Sequence, residues 1–443
     1  MDPILQTASL PPQPQTPAAP VTHSGKSARR RIYAENPKLN LQFSAFLAMM
    51  RSVNKDGRST MFERKLAKQL KKAASQYPSV TLFGPRQSGK TTLAKTCFPG
   101  YAYANLEHLG TRELAATDPD AFFRRFAPPV IVDEVQRVPS IVSQIQVLID
   151  EDRDAAGRFI LTGSHQTKLS ETVSQSLAGR TSVLTLYPPS IAELGETVRK
   201  LPTDELLFRG FMPEIHAKGL DPLDWYRNYV QTYLERDIRQ MVNVKDLSLF
   251  GRFLVLLAGR VGQLVNASAL AGEVGVSATT VSGWISILEA SFLVYRLCPW
   301  HSNRGKRLVK SPKLYFTEPG LAAHLLGIES PEQLLRDPLR GALFENLAVA
   351  EALKQRANAA LPPDLWFLRT ADGFEIDLLR SSGRTLRPVE IKSAATWHDS
   401  FARNVRAFVR DTPGAGFPAV VYDGDDLDLS DGTAVRNIRS FAG

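Results

Sequence analysis

Hydrophobic positions in the first part of the folded chain follow two spacings that alternate. Leu66, Leu70 and Ala73 recur at the spacing of an amphipathic helix, and Pro78 ends that helix before a strand-like run. Helical stretches separate this run from three others like it. Such alternation predicts an α/β domain, a parallel sheet with helices on both faces that binds its ligand at the carboxyl ends of the strands. The strand-like runs are at residues 80–83, 130–132, 158–161 and 183–186.

After residue 200 the pattern changes to helices. Two short amphipathic stretches, at 270–274 and 278–290, flank a turn at Gly275 and predict a helix-turn-helix. Strand-like runs at 292–297 and 313–316 would form the wing of a winged helix. A last region has the order helix, three strands, helix, strand, which predicts a C-terminal α/β domain. Its elements are at residues 341–354, 365–369, 374–379, 386–391, 400–410 and 418–422.

The first 60 residues have a different composition from the rest. Six of the first twenty residues are Pro, and residues 1–60 hold eight Lys or Arg against three acids. This composition predicts a disordered, solvated tail, with a weak polyanion-binding arm as the alternative. A translation start at Met61 is a further alternative.

Length, charge and cysteine content narrow the class of protein. The chain has 443 residues, enough for several domains, and its net charge of +9 is concentrated in the tail. Charge alone therefore does not indicate a nucleic-acid groove in the folded part. The two cysteines, Cys97 and Cys298, exclude a disulfide scaffold and fit a reducing cytoplasm. No apolar run is long enough to span a bilayer, so we expect a soluble protein without membrane partners.

A glycine-rich motif of the form GxxxxGK[ST] follows the first strand-like run and opens a helical stretch. In this context the backbone N–H groups curl around phosphates, Lys90 reaches the β- and γ-oxygens, and Thr91 ligates Mg²⁺. The motif predicts a nucleoside triphosphate and Mg²⁺ as ligands. The predicted nucleotide-binding residues are Gly84, Pro85, Arg86, Gln87, Ser88, Gly89, Lys90, Thr91 and Thr92.

Two acids end the next strand-like run. Asp133 is predicted to bind Mg²⁺ as part of its coordination shell. Glu134 is predicted to orient and polarise the attacking water. Kinases need no such glutamate, so this pair favours hydrolysis over phosphotransfer. Solvent-facing acids at the end of a strand are the structural alternative.

Two later positions extend the predicted catalytic set. Ser164 follows the third strand and would touch the γ-phosphate or the water, with Thr162 and His165 as alternatives. Arg180 precedes the fourth strand and is a candidate arginine finger, in the same subunit or a neighbouring one. An ordinary turn and a surface ion pair are the respective structural alternatives.

The runs LFGPRQSGKTTLAK, VIVDEVQRVP, ILTGSHQTKLS and SLAGRT, in this order, resemble the AAA-like ATPases of bacteria and archaea that carry a C-terminal domain of the PD-(D/E)XK nuclease superfamily. The resemblance extends from about Met61 to about residue 425. It implies ATP binding and hydrolysis. The chain departs from the family at Gly210, where a paired glycine is usual, and at Glu318, where the family tends to have Asp.

The resemblance also implies a nuclease-like site near the C-terminus. Asp377, Glu390 and Lys392 lie on two successive strands, and Glu345 lies on the preceding helix. Glu390 and Lys392 share one face of their strand because side chains alternate along it. The carboxylates would bind Mg²⁺, and Lys392 would activate hydroxide or stabilise the phosphate. A cross-strand salt bridge is the alternative, and the fold does not guarantee cleavage.

The predicted recognition helix, 278–290, has no Lys or Arg and carries Glu289, so sequence-specific DNA binding is not expected. Positive charge lies in the wing. Binding of the nucleic-acid backbone through the wing and a merely solvated loop remain alternatives. The basic residues of the wing are Arg304, Lys306, Arg307, Lys310 and Lys313.

The leading hypothesis is a Mg²⁺-dependent ATPase whose nucleotide cycle moves a winged-helix module and a nuclease-like module, on DNA or RNA. The alternative is a slow ATP-dependent switch or scaffold with an inactive nuclease-like fold. A role of Arg180 in trans would require a homo-oligomer. The predicted parts are a tail at 1–60, a P-loop ATPase domain at 61–200, a helical and winged helix-turn-helix segment at 201–325 and a PD-(D/E)XK nuclease-like domain at 326–443.

Overall fold

A five-stranded sheet forms the centre of the first half of the folded chain. Its strands follow the order β2-β3-β4-β1-β5, and every neighbouring pair is parallel. These strands are β1 (Ser79–Phe83), β2 (Ala102–Asn105), β3 (Val130–Asp133), β4 (Phe159–Gly163) and β5 (Thr181–Thr185). The structure is a computed structural model and describes residues 62–164, 176–233, 246–300 and 310–442.

Alternate residues of the central strands pack on opposite faces of this sheet. On β3, Ile131 joins an apolar cluster with Val80 and Leu82, whereas Val130 and Val132 join a second cluster on the other face. Helices contribute to both clusters, which confirms the predicted α/β architecture. These helices are α1 (Leu66–Ala74), α2 (Lys90–Cys97), α3 (Leu109–Thr117), α4 (Pro119–Arg125) and α5 (Ile141–Glu151).

Helices dominate the segment that follows. The two helices of the predicted helix-turn-helix are present, and Gly275 joins them with a φ of +89°, a left-handed conformation that glycine adopts without strain. The Ser277 side chain caps the second helix by accepting a hydrogen bond from the Thr280 N–H at 3.0 Å. The helices are α6 (Gly195–Arg199), α7 (Thr203–Arg209), α8 (Pro213–Lys218), α9 (Pro222–Tyr229), α10 (Leu247–Ala258), α11 (Ala267–Val274), α12 (Ala278–Ala290), α13 (Pro319–Leu325) and α14 (Pro331–Leu334).

A second, eight-stranded sheet has the order β12-β13-β11-β10-β9-β8-β6-β7. The predicted wing strands, β6 and β7, pair antiparallel, but Cys298 and Pro299 of β6 also pair in parallel with β8. The two strands are therefore the edge of this sheet rather than a separate hairpin, because β8 satisfies backbone groups at the end of β6. The strands are β6 (Val294–Pro299), β7 (Lys313–Phe316), β8 (Leu365–Arg369), β9 (Glu375–Ser382), β10 (Thr385–Lys392), β11 (Ala419–Tyr422), β12 (Leu427–Asp428) and β13 (Ala434–Asn437).

Of the described helices, the longest is α15 (Arg340–Asn358), with 19 residues. It contacts β7 and β10 of the second sheet, and α1 and β5 of the first part. Leu343, Phe344 and Leu347 place it in the largest apolar cluster, which also takes side chains from the helical segment. The described residues between 62 and 442 accordingly form one compact unit. The remaining helices are α16 (Arg403–Asp411) and α17 (Ile438–Phe441).

The predicted C-terminal elements are confirmed to within a few residues as α15, β8, β9, β10, α16 and β11. The short strands β12 and β13 and the helices α13, α14 and α17 were not predicted. Among the described residues, no helix is both long and apolar enough to cross a membrane. Predictions for the tail at 1–60, Met61, His165, Arg304, Lys306 and Arg307 lie outside the described residues.

Candidate nucleotide site and C-terminal cavity

The phosphate-loop motif connects β1 to α2. Gly84 has a φ of +151°, and a Cβ atom there would lie 2.0 Å from the backbone oxygen of Leu186, so only glycine fits. Gly89, with a φ of +94°, directly precedes the N-terminus of α2. The Ser88 Oγ is buried in this loop without a hydrogen-bond partner among the described residues. A buried orphan donor beside a helix N-terminus suits an anionic ligand.

Lys90 is buried inside this loop, with 5% of its surface exposed. Its Nζ donates to the backbone oxygens of Gly84 at 2.9 Å and Pro85 at 2.8 Å. Burial lowers the pKa of Lys90 to about 8, and the nearby Glu134 and Asp133 oppose that shift. The ammonium is therefore held by neutral carbonyl groups, which phosphate oxygens can replace.

Asp133, at the end of β3, accepts hydrogen bonds from three elements. Thr91 Oγ1 lies 3.0 Å from Oδ1 and 2.9 Å from Oδ2, so the two predicted Mg²⁺ ligands are in direct contact. The Tyr103 hydroxyl donates to Oδ2 at 2.8 Å, and the Thr162 hydroxyl donates to Oδ1. A hydroxyl and a carboxylate suit Mg²⁺, which binds few protein oxygens and keeps several waters. The contact from Tyr103 was not predicted from the sequence.

Glu134 lies immediately beyond β3 with a φ of +57°, an unusual conformation for a residue with a Cβ atom. Its N–H donates to Thr162 Oγ1 at 3.2 Å. Its carboxylate Oε2 accepts from Ser164 Oγ at 3.0 Å and from the Gln136 amide. Ser164 thus lies beside Glu134, whereas the alternative Thr162 contacts Asp133. Gln136 was missed by the sequence analysis, although it is only two positions from Glu134.

Arg180 lies at the amino ends of the parallel strands, whereas the phosphate loop lies at their carboxyl ends. It precedes β5, and its backbone oxygen accepts from Ser79 at the start of β1, whereas the loop follows the end of β1. A strand of five residues separates its two ends by about 16 Å. The Arg180 guanidinium instead pairs with Asp150 at 2.9 Å. The prediction of an arginine finger within the same subunit is therefore wrong, and a role in trans stays a prediction.

Arg64, which the sequence did not single out, connects the phosphate loop to the segment that follows β5. Its guanidinium donates to the backbone oxygens of Ser88 at 2.8 Å and Tyr187 at 2.6 Å. It also pairs with Glu193 at 3.1 Å. Glu193 in turn accepts from the Ser190 N–H at 2.8 Å. The loop is thus tied through side chains to the segment that follows β5.

A cavity of about 580 Å³ lies on the second sheet and holds all four of the predicted nuclease-like residues. Helix α15 contributes Glu345, β9 contributes Asp377, and β10 contributes Glu390 and Lys392. One acid and two bases that the sequence did not assign to this cavity, Glu375, Lys313 and Arg369, also line it. The lining comprises Gly262, Gln263, Leu264, Lys313, Glu345, Arg369, Glu375, Asp377, Glu390 and Lys392.

The charged side chains of β9 and β10 in this cavity form one network. Lys392 Nζ lies 2.6 Å from Glu390 Oε1 and 3.6 Å from Asp377 Oδ2. The N–H of Ile391 donates to the same Asp377 oxygen at 2.9 Å, while the Ile391 side chain is buried. Burial raises the pKa of Glu390 to about 7, with Asp377 adding to the effect and Lys392 opposing it.

Lys313 also lies in this cavity, with 4% of its surface exposed. Its Nζ lies 3.0 Å from Glu345 Oε1 and 2.7 Å from Glu375 Oε1. The prediction that Lys313 contacts nucleic acid from the wing is therefore wrong, because β7 joins the second sheet and directs this side chain inward. Lys310, three residues earlier, is exposed.

Three family models match consecutive parts of the chain. An AAA domain matches residues 76–195, which include the phosphate loop, Asp133 and Glu134. A domain of unknown function (DUF8612) matches residues 202–332, and another (DUF4143) matches residues 340–441.

Solved structures give weaker similarities. A Walker-type ATPase of Pyrococcus abyssi has a TM-score of 0.37 and 13% identity, over 60% of this chain and 97% of that one. AMPPCP-bound DnaA from Aquifex aeolicus has a TM-score of 0.26 and 15% identity, over 51% of this chain and 85% of that one.

Two relatives match most of the chain. An uncharacterized protein of Mycobacterium tuberculosis is 32% identical over 368 residues, which are 82% of this chain and 80% of that protein, and a protein of Mycobacterium bovis gives the same values. An uncharacterized protein of Haemophilus influenzae is 27% identical over 51% of this chain and 57% of its own length. The chain therefore belongs to the family of these mycobacterial proteins, and the AAA domain at residues 76–195 supports a P-loop ATPase of the AAA+ class.

Proposed function

We propose that the chain binds ATP with Mg²⁺ at the phosphate loop and hydrolyses it. The observation that carries this proposal is the contact between Thr91 and Asp133 beside the buried ammonium of Lys90. These three groups are a hydroxyl, a carboxylate and a cation, the set that binds a metal–triphosphate complex. The local geometry and the AAA match support the same assignment.

Each residue of the site has a distinct role in this proposal. Thr91 and Asp133 would hold Mg²⁺, which supplies positive charge for the β- and γ-phosphate oxygens. Lys90 exchanges its loop carbonyls for phosphate oxygens. Glu134 orients a water and accepts its proton as the water oxygen bonds to the γ-phosphorus and the bond to ADP breaks. Ser164 holds the Glu134 carboxylate and so fixes its direction.

Phosphate release by the full chain tests this function. We expect Glu134→Gln to retain ATP binding and to lose at least about 100-fold in turnover, because the proton acceptor is removed. Lys90→Ala should lose binding and turnover together, while Lys72→Ala, at an exposed lysine of α1, serves as the matched control. Turnover that survives in Lys90→Ala would contradict the assigned site.

For the C-terminal module we propose a nuclease-like arrangement that the nucleotide cycle controls. Its support is the convergence of Glu345, Asp377, Glu390 and Lys392 on one cavity. In an active site of this kind the carboxylates would hold Mg²⁺ and Lys392 would stabilise the scissile phosphate of DNA or RNA. Exposed Lys310 and the basic residues before it would contact the nucleic-acid backbone.

A second candidate function is a slow ATP-dependent switch or scaffold whose nuclease-like fold does not cut. The pairing of Glu345 and Glu375 with Lys313 favours it, because these acids already have a cation. Cutting of single- or double-stranded substrates with Mn²⁺, lost in Asp377→Ala and in Lys392→Ala, would support the first candidate. Absence of cutting, together with ATP turnover that nucleic acid does not change, would support the second.

The cysteines are consistent with a reducing cytoplasm, which we propose as the location. Cys97 and Cys298 are both free thiols in the structure. Neither lies within a disulfide, and a cytosolic protein keeps its thiols reduced.

A further inference from the structure

The backbone fixes the position of Lys313 from two sides. Lys313 is the first residue of β7 and pairs with Leu297 of β6. On its other side it forms an antiparallel bridge with Leu264, and the neighbouring Leu314 accepts a hydrogen bond from the Gly262 N–H at 2.8 Å. This pairing fixes the backbone of Lys313 beside the cavity. The ion pairs with Glu345 and Glu375 then hold its ammonium inside the cavity.

Within the cavity the ammonium bridges two carboxylates from different elements. Glu345 comes from α15 and Glu375 from β9, and their oxygens lie 3.0 Å and 2.7 Å from the Lys313 Nζ. Tyr315, also on β7, donates its hydroxyl to the same Glu345 oxygen at 2.5 Å. A cation between two carboxylates is the position that a divalent ion takes in an oxygen-ligand site.

The other acids of the cavity are neutralised in the same way. Lys392 pairs with Glu390 and Asp377, and Arg369 lies 3.5 Å from Glu375. Four carboxylates thus face three basic side chains. Among the described residues, no group of three or more Asp, Glu, His or Cys side chains is arranged to hold a metal ion. The carboxylate set expected for a metal is present, but its arrangement does not fit one.

One atom remains without a partner. Glu390 Oε2 is buried and accepts no hydrogen bond from the described residues, and the Glu390 side chain is only 9% exposed. A buried carboxylate oxygen without a donor is unfavourable, and a cation nearby would satisfy it. The cavity therefore holds a carboxylate oxygen that lacks a donor, and a lysine occupies the position between Glu345 and Glu375.

We propose that the Lys313 ammonium takes the place of a divalent cation in the C-terminal cavity. Without nucleotide, the chain then binds no Mg²⁺ or Mn²⁺ at this cavity, and a neutral side chain at position 313 creates a site between Glu345 and Glu375. The inference rests on the proposed nuclease-like arrangement. Its test measures metal binding and needs neither ATP hydrolysis nor cutting, so its failure is distinguishable from failure of the proposed function.

The test is a Mn²⁺ titration of the full chain without nucleotide, followed by the electron paramagnetic resonance signal of free Mn²⁺. We expect Lys313→Met to bind one more ion than the wild type, at least about tenfold more tightly than any ion the wild type binds. Adding Glu345→Gln to Lys313→Met should abolish that ion. Lys310→Met makes the same chemical change at an exposed position and should bind as the wild type does.

Two results would overturn the proposal. One is a wild-type chain that binds Mn²⁺ tightly and loses it in Glu345→Gln. The other is Lys313→Met that binds no additional ion. Thermal unfolding covers a variant that folds poorly: Mn²⁺ should raise the Tm of Lys313→Met relative to EDTA and leave the wild type unchanged. A variant that Mn²⁺ does not stabilise contradicts the inference as well.

Discussion

The phosphate loop and the C-terminal cavity contain the same residue types, but their lysines have different hydrogen-bond and ion-pair partners. Both place acids at or near strand ends around a buried lysine. Lys90 donates to two backbone carbonyls, whereas Lys313 and Lys392 are paired with carboxylates. A neutral carbonyl gives way to a phosphate oxygen, but a buried ion pair must be broken before a new ligand can bind. The partners of a charged side chain therefore decide whether it is available to a ligand.

Removing each lysine should change the stability of the protein by very different amounts. Lys313→Met should lower the free energy of unfolding by about 3–5 kcal/mol, because Glu345 and Glu375 would lose their buried cation. Lys90→Met should change it by less than about 1 kcal/mol, because the desolvated ammonium that disappears was held only by carbonyls. Urea unfolding measures both. Equal losses in the two variants would remove the distinction between the sites.

The affinity for ATP should depend on pH because Lys90 is buried. Because burial lowers the pKa of Lys90 to about 8, its ammonium is lost in the free protein above that pH. ATP binding then requires proton uptake, and affinity should fall by up to about tenfold per pH unit above the pKa while staying flat below it. Calorimetric titration across this range measures the effect. Lys90→Arg, which stays charged, should have a flat profile, and a flat wild-type profile would contradict the prediction.

A smaller effect is expected at Tyr103. Its hydroxyl donates to Asp133 at 2.8 Å, and Tyr103→Phe removes that donor without changing the ring. We expect a loss of about fivefold in ATP turnover, the equivalent of one hydrogen bond of about 1 kcal/mol. Tyr101→Phe makes the same change two residues earlier in the chain and should behave as the wild type. Identical turnover in both variants would show that the Tyr103 contact does not position Asp133.

The smallest effect is expected at Arg180. Its guanidinium pairs with Asp150 at the sheet edge away from the loop, so Arg180→Ala should keep ATP turnover within about twofold of wild type. Phosphate release over a range of protein concentrations measures this. A large loss that appears only where the chain self-associates would instead establish Arg180 as a finger supplied to a neighbouring copy.

The parts of the site that the sequence could predict are those fixed by a local pattern. The phosphate loop and Asp133 follow apolar strands, and parallel strands bring their carboxyl ends to one edge. The same rule contained a signal against Arg180, since a residue just before a parallel strand lies at the other edge. The alternation of β10 likewise predicted that Glu390 and Lys392 share a face.

The contacts that the sequence did not predict depend on the tertiary fold or on an unusual backbone conformation. Arg64 and Glu193 are 129 positions apart, and no local spacing relates them. The local sequence places Lys313 in the wing because nothing near it shows that β6 pairs with a strand some seventy residues later. Gln136 lies near Glu134 in sequence, but its contact requires the left-handed turn at Glu134, which the residue type does not suggest.

Helix α15 connects the two regions mechanically. Near its start it carries Glu345, and further along Glu351 accepts from the Ile191 N–H at 3.1 Å while Lys354 donates to the Pro189 oxygen at 3.1 Å. Nine residues separate Glu345 from Lys354, a rise of about 13 Å along a rod that resists bending. A displacement of the chain after β5 would therefore be carried by this helix to Glu345, one of the four carboxylates of the cavity.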